Sequence, residues 1–267
     1  MFLAEPPRTP YDFSFNVLGV PVRVHPYFWL AGVFLGMGDS NGFIMVIWVV
    51  ALFVSILIHE LGHALMMRRF GETPRIVLYM MGGLAIADSN AWNIGSSKAA
   101  RSSTKQIMIS AAGPAAGFIF AALILLLIGA TGGVVEFSGA AFPFFWNFEL
   151  AQPVTSDTLY WYALVQSLLY INIFWGLVNL LPVYPLDGGQ ISRELCMAQF
   201  PDGVVKSLWI SVWAGAAVAF YGLTRMQSIF IPLMFGMLAY SSYQTLQQYS
   251  GGGGFRGGPW RGGRRPW

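Results

Sequence analysis

Residues 43–67, FIMVIWVVALFVSILIHELGHALMM, decide the fold. This apolar run is longer than the roughly 20 residues with which a helix crosses a lipid bilayer. It contains the motif His59-Glu60-Leu61-Gly62-His63. Histidines four residues apart share one helix face, so both imidazoles can reach one metal ion, and Glu60 is placed to take a proton from a water at that metal. In a soluble protein the motif would indicate an ordinary zinc protease; here it predicts hydrolysis within the bilayer.

The composition supports a membrane protein independently of the motif. Apolar residues make up 55% of the chain and charged residues 10%, whereas soluble domains carry roughly 25% charged residues. The first 26 residues do not resemble a signal peptide, because Glu5, Arg8 and Asp12 precede any apolar run. Cys196 is the single cysteine. It excludes an intrachain disulfide and a multi-cysteine zinc site.

The hydropathy pattern predicts an all-α polytopic membrane protein with about six transmembrane helices. The predicted segments are residues 27–37, 43–67, 107–128, 159–181, 204–221 and 229–243. The first is short. Lys and Arg are concentrated between segments two and three, between four and five, and after segment six, whereas the 131–156 loop has none. By the positive-inside rule, both termini face the cytoplasm. The absence of a transit-like N-terminus favours a prokaryotic inner membrane.

A short membrane-associated β-hairpin is predicted between helices 2 and 3. Residues 74–87 are apolar and β-leaning, with a turn signal at Gly82-Gly83, and they are too short to span. Irregular backbone at membrane depth requires protein or a water-filled cavity to satisfy it. The hairpin could pair an edge strand with an unfolded substrate. A purely structural interfacial hairpin is the alternative, and the sequence leaves both open.

The C-terminal tail, residues 250–267, is rich in Gly and Arg and cannot build a core. We expect it to be a disordered cytoplasmic tail after one metalloprotease domain at 1–249, whose catalytic core spans about 43–190. The basic residues suit contact with an anionic membrane surface. For this tail, contact with the membrane surface or the absence of any function is favoured over nucleic-acid binding.

A catalytic zinc usually has three protein ligands. His25, next to Pro26, is a poor third candidate and better suited to an interfacial position. Asp187 is the better candidate, since it follows a Pro-rich break at the end of segment four, at a depth similar to the HELGH motif. A buried carboxylate there would need a partner such as a metal. A structural turn aspartate or a partner for Arg193 are the alternatives.

These residues together resemble the site-2 protease family of intramembrane zinc metalloproteases. The resemblance is carried by His59-Glu60-x-x-His63 and by Asn179-x-x-Pro182 with Leu186-Asp187-Gly188-Gly189; weaker similarities are Gly19-Val20-Pro21-Val22, Gly82-Gly83 and Ala112-Gly113-Pro114. It implies Zn²⁺ bound by His59, His63 and Asp187, with Glu60 as general base. It also implies that Asn179 helps to hold the substrate or stabilise the oxyanion. The 131–156 loop and the tail leave no room for the PDZ or CBS domains of many relatives.

The function expected from this resemblance is a zinc endopeptidase that cuts within or near transmembrane segments of membrane proteins, most simply single-span ones. The alternative is a catalytically silent zinc-binding protein that retains or escorts membrane clients. A transporter is disfavoured, because the segments outside the motifs contain few ionisable residues. Gly113 and Gly117 form a small-xxx-small pattern, and we assign them to close helix packing.

Overall fold

The computed structural model describes residues 5–37, 41–87, 103–133, 135–138, 147–150, 155, 158–225 and 229–250. The predicted disordered tail therefore lies outside the described residues, apart from Ser250. The chain divides into two compact units, Met1–Leu180 and Leu181–Trp267. Each unit has its own helices, and the histidine motif belongs to the first.

The helices of the first unit begin with α1 (Pro26–Gly36), α2 (Gly42–Arg69) and α3 (Ser103–Ala130). Three consecutive helical segments follow: α4 (Leu159–Tyr170), a π-helical segment (Ile171–Trp175) and α5 (Gly176–Asn179). The second unit contains α6 (Asp187–Gln199), α7 (Gly203–Arg225) and α8 (Phe230–Ser250).

Four of the described helical runs are long and apolar enough to cross a membrane: α2, α3, the run Leu159–Asn179, and α7. The 11-residue α1 is shorter than a span, and α8 ends in the polar sequence QTLQQYS. Large apolar side chains are exposed along the spans, as lipid-facing surfaces require; they include Leu123, Leu126, Leu127, Trp213 and Phe220. The structure therefore confirms a mainly helical protein with four helical runs that are long and apolar enough to span a membrane, and the count of six stays a prediction.

Side-chain hydrogen bonds at their N-termini explain where α1 and α2 begin. The side chain of Asn41 caps α2 by accepting a hydrogen bond from the backbone N–H of Phe43 at 3.0 Å. His25 caps α1, since its Nδ1 accepts from the N–H of Tyr27 at 3.2 Å and Pro26 occupies the first turn. His25 is buried in this capping position, which gives it a structural role.

Residues 74–87, which were predicted to form a hairpin, supply two strands of a larger, four-stranded sheet. Its order is β1 (Phe13–Val17), β2 (Val20–Val24), β3 (Pro74–Tyr79) and β4 (Gly82–Ala87). Strands β2 and β3 are parallel, and the other two pairs are antiparallel. The turn between β3 and β4 lies at residues 80–81, so the glycine pair begins the return strand instead of forming the turn. Gly82 there has a φ of 115°, which glycine adopts without strain.

The core of the first unit forms between this sheet, α1 and α2. Its buried members include Val20, Val22, Val24, Phe28, Ala51, Leu52, Ile56, Ile76 and Leu78. Ion pairs attach the N-terminal segment to the sheet: Arg23 contacts Asp12 at 2.7 Å and Glu5 at 2.9 Å. Strands β3 and β4 and helix α1 pack against α2, and α3 packs against α2 as well.

The second unit is organised around the packing of α7 on α8. A Cβ added at Gly215 would lie 3.1 Å from the Cβ of Ala239, so the two helices approach closely at this point. The segment before α6 is attached to both helices, because the N–H of Tyr184 donates to Ser211 Oγ at 3.0 Å and Ser242 Oγ donates to the carbonyl of Tyr184 at 3.4 Å. In the first unit, a further two-stranded sheet of β5 (Val135–Ser138) and β6 (Asn147–Leu150) occupies part of the 131–156 loop.

Candidate metal centre

The motif on α2 forms a cluster of potential metal ligands. His59, Glu60 and His63 are all buried, and one ligand atom of each lies within 4.8 Å of the others. Within the described residues this is the one such group of three or more His, Cys, Asp or Glu side chains. Helical periodicity brings the two imidazoles onto one face, as predicted from the sequence.

The two imidazoles have the spacing of ligands that share one ion. The Nε2 atoms of His59 and His63 are 3.1 Å apart. Two nitrogens that each lie 2.0–2.1 Å from a tetrahedral zinc are about 3.3 Å apart. The donor set and its spacing therefore fit a zinc ion.

A hydrogen bond to the backbone of α3 fixes the tautomer of His63. Its Nδ1 lies 2.7 Å from the carbonyl oxygen of Ile109. Because a carbonyl only accepts, Nδ1 carries the proton and Nε2 of a neutral His63 presents its lone pair. Metal-binding histidines are commonly oriented by such a second hydrogen bond. The backbone of α3 thus prepares His63 for coordination.

Gly113 on α3 lies directly against both imidazoles. A Cβ at this position would be 2.2 Å from His63 Nε2 and 2.8 Å from His59 Nε2. Any side chain would therefore displace the ligand atoms. The sequence pattern predicts close helix packing at Gly113, and the structure also places this residue next to the imidazoles of His59 and His63.

Gly83 on β4 lies against Glu60 in the same way. A Cβ at Gly83 would be 2.3 Å from Glu60 Cγ and 2.5 Å from Glu60 Oε1. The neighbouring Tyr79 on β3 is buried, and its burial, followed by the charge of Glu60, raises the pKa of the phenol. The small sheet therefore forms one wall of the cluster around the carboxylate.

The other two predicted site residues lie elsewhere in the chain. Asn179 is buried at the last residue of α5, in the first unit. Asp187 is buried at the first residue of α6, in the second unit. The structure thus brings His59, Glu60 and His63 together. The roles of Asn179 and Asp187 stay predictions.

Sequence reasoning missed the contacts of Gly83, Gly113 and the Ile109 carbonyl. Gly83 belongs to the turn signal of the predicted hairpin and Gly113 to the small-xxx-small pattern, so a close approach of backbone was expected only at Gly113. What each glycine approaches depends on tertiary packing. The hydrogen bond from His63 to Ile109 joins residues 46 apart, and no local pattern predicts it.

The profile of peptidase family M50 matches residues 47–220, which include the histidine cluster and Asp187. The chain belongs to peptidase family M50. This match confirms the resemblance drawn from the sequence, and it covers more than half of the chain.

Two curated proteins are similar to this chain over more than half of its length. Zinc metalloprotease MJ0392 of Methanocaldococcus jannaschii is 28% identical over 81% of this chain and 55% of its own length. Putative zinc metalloprotease Rip3 of Mycobacterium tuberculosis is 29% identical over 58% of this chain and 32% of its own length. The chain thus spans about half the length of the first relative and a third of the second.

A solved structure supports the fold of this M50 chain. The site-2 protease from Methanocaldococcus jannaschii aligns with a TM-score of 0.51 at 24% identity. The alignment covers 88% of this chain and 95% of the other.

Proposed function

We propose that this chain is an intramembrane zinc endopeptidase that hydrolyses peptide bonds within or near transmembrane segments of membrane proteins. The observation that carries the proposal is the pair of Nε2 atoms 3.1 Å apart, beside a buried glutamate, on a helix long and apolar enough to span a membrane. Membership of peptidase family M50 and the names of the curated zinc metalloproteases support it.

His59 and His63 supply two zinc ligands in this proposal, and Asp187 supplies the third. A bound zinc would activate water and polarise the scissile carbonyl. Asp187 is favoured because it is buried and because a carboxylate completes the His₂-carboxylate set found in many zinc peptidases.

Glu60 acts as the general base. Its carboxylate takes the proton of the attacking water and then delivers a proton to the leaving amine nitrogen. Gly83 supports this role, because the absence of a side chain there leaves room for Glu60 against β4. The amide of Asn179 donates a hydrogen bond to the oxyanion or holds the substrate backbone, which stabilises charge that develops in the transition state.

The substrate in this proposal presents an extended segment to the site, since a helix hides its carbonyls in its own hydrogen bonds. Strand β4 supports this step: it is last in the strand order of the described sheet, so its outer edge suits pairing with an incoming strand. The wall it forms against Glu60 would place such a strand near the base.

The proposal also covers the number of membrane segments and the side of the membrane on which the termini lie. Six segments would place both termini in the cytoplasm of a prokaryotic cell, with the enzyme in the inner membrane and single-span proteins as substrates. The support is the concentration of Lys and Arg in alternate connections. One domain at 1–249, with its catalytic core at about 43–190, would carry the activity, and the Gly/Arg-rich tail would be disordered.

Cleavage by the purified, zinc-loaded protein tests the proposal. A panel of single-span substrates would be incubated with the wild type, with Glu60→Gln, and with a control Glu72→Gln that makes the same change after the end of α2. We expect cleavage by the wild type and the control, none by Glu60→Gln, and equal zinc content in all three. Cleavage retained by Glu60→Gln would exclude the proposed base. Bound zinc without cleavage of any substrate would favour the silent escort protein instead.

A further inference from the structure

The backbone that leads into Asp187, residues 182–186, is irregular. It carries three N–H groups, on Val183, Tyr184 and Leu186, because the other two residues are prolines. Val183 and Leu186 donate to carbonyl oxygens close by in the chain, at 2.7 and 2.8 Å. Val183 is fully buried, and buried backbone donors need acceptors. The N–H of Tyr184 therefore requires an acceptor from another element.

Ser211 on α7 is that acceptor, with its Oγ 3.0 Å from the nitrogen of Tyr184. The serine is 1% exposed, and its hydroxyl donates to the carbonyl of Ser207, one turn earlier on the same helix, at 3.0 Å. Because a hydroxyl has one proton to donate, the bond to Ser207 leaves a lone pair of Ser211 for Tyr184. Helix α7 thus presents an oriented acceptor to this segment.

The first turn of α6 packs on the same backbone. A Cβ added at Gly189 would lie 2.5 Å from the nitrogen of Tyr184 and 2.5 Å from the carbonyl carbon of Val183. Only a glycine allows α6 to approach this peptide so closely. Asp187 is the first residue of α6, two residues before Gly189. The position of its carboxylate therefore depends on where the Val183–Tyr184 peptide is held.

We propose that Ser211 is a positioning residue for Asp187. Its hydroxyl holds the Val183–Tyr184 peptide, and this peptide holds the first turn of α6 in the place from which Asp187 binds zinc. Ser211 does not touch the metal and acts through the backbone of the second unit. Helix α7, which follows the predicted catalytic core at about 43–190, would then contribute to the metal site. The hydrogen bond stands on the geometry of the second unit, whereas its effect on zinc rests on the proposed function.

Hydrogen–deuterium exchange of the full-length protein tests the hydrogen bond. Mass spectrometry with fragmentation would follow the amide of Tyr184 in the wild type, in Ser211→Ala and in Ser207→Ala. The last is a matched control, since Ser207 is also buried on α7 and its hydroxyl donates to the carbonyl of Val204 at 2.8 Å.

We expect the Tyr184 amide to exchange at least about fivefold faster in Ser211→Ala than in the wild type and the control. A wild-type amide that exchanges as fast as an unstructured peptide would overturn the proposal, whether or not the variant folds. Exchange that is equally slow in Ser211→Ala would overturn it too.

Zinc affinity separates positioning from simple stabilisation of the fold. Competition with a chelator would measure the zinc dissociation constant of Ser211→Ala, Asp187→Asn, their double variant and Ser207→Ala. We expect Ser211→Ala to raise the constant by about three- to tenfold, at or below the low end for residues that orient metal ligands. Ser207→Ala should leave it unchanged, and Ser211→Cys, whose thiol is a weaker acceptor, should give a smaller rise than Ser211→Ala.

The double variant shows whether the effect passes through Asp187. In the Asp187→Asn background, Ser211→Ala should cost no further zinc affinity. Losses that simply add would overturn the positioning role. So would an unchanged constant in Ser211→Ala beside a weakened one in Asp187→Asn.

Failure of the proposed function gives a different result. A zinc dissociation constant unchanged by Asp187→Asn would remove the third ligand from the proposed function, and the positioning role would be overturned with it. A protein that shows the expected coupling between Ser211 and Asp187 but cleaves no substrate would contradict the endopeptidase and support the positioning role.

Discussion

The two units differ in how their predicted site residues are placed. In the first unit, His59 and His63 lie one turn apart on one helix, and α3 and the sheet hold them and Glu60 from two sides. In the second unit, Asp187 is a single carboxylate at the first residue of α6. Local helical geometry is enough to bring His59 and His63 together, whereas the role proposed for Asp187 depends on tertiary structure. The described structure therefore supports the proposed site through the cluster of His59, Glu60 and His63, and supports Asp187 only through its burial.

The largest effect is expected from the first unit. His59→Ala should abolish both zinc binding and cleavage, since one imidazole cannot replace the pair. His25→Ala is the matched control: His25 is also buried, but it caps α1. That variant should keep its zinc and lose only some thermal stability. Zinc content by mass spectrometry after dialysis measures the first effect. A His59→Ala protein that retained a full equivalent of zinc would contradict the assignment of this ligand.

The second unit is tested by Asp187→Asn. The change keeps the size of the side chain and removes its charge, so the zinc dissociation constant should rise by at least about tenfold and cleavage should fall with it. Competition with a zinc chelator measures the constant. Zinc affinity equal to that of the wild type would show that Asp187 is a structural residue of the α6 N-terminus. The second unit would then contribute no zinc ligand through Asp187.

The helices and the motif were predictable because their signals are local. Hydropathy over 43–67 and the four-residue histidine spacing both act within a few helical turns. The parallel pairing of β2 with β3 joins segments about 50 residues apart, as in Val22 opposite Ile76, and no turn signal marks it. The π-helical segment was hidden for another reason: INIFW has no sequence feature that separates it from ordinary apolar helix.

A smaller effect separates the base from the metal within the first unit. In Gly83→Ala the new methyl group would displace Glu60, so kcat should fall while zinc content stays the same. In Gly113→Ala the methyl group would displace both Nε2 atoms, so zinc affinity should fall as well. Parallel zinc titrations and kinetics compare the two variants, with Gly129→Ala as the control. Equal loss of zinc in both would mean that the sheet and α3 do not contact separate parts of the centre.

The smallest effect concerns the attachment of the N-terminal segment. Burial raises the pKa of Asp12, but hydrogen bonds from Thr9 and Arg23 outweigh it and lower the pKa from 3.8 to about 2. A lowered carboxyl pKa stabilises the fold above pH 3.8, and this contribution is lost as the pH falls toward 2. Asp12→Asn should therefore cost about 1 kcal/mol or less at neutral pH, and the difference from the wild type should vanish near pH 2. Thermal unfolding at several pH values measures it; a difference independent of pH would exclude the charge as its cause.

The most direct test of the central claim is X-ray absorption spectroscopy of the zinc-loaded protein, with Glu60→Gln beside the wild type. The account predicts two imidazole nitrogens and oxygen ligands at about 2.0–2.1 Å, with identical spectra for the two proteins, because His59 and His63 bind the metal and Glu60 does not. Fewer than two imidazoles, or a ligand lost in Glu60→Gln, would contradict it.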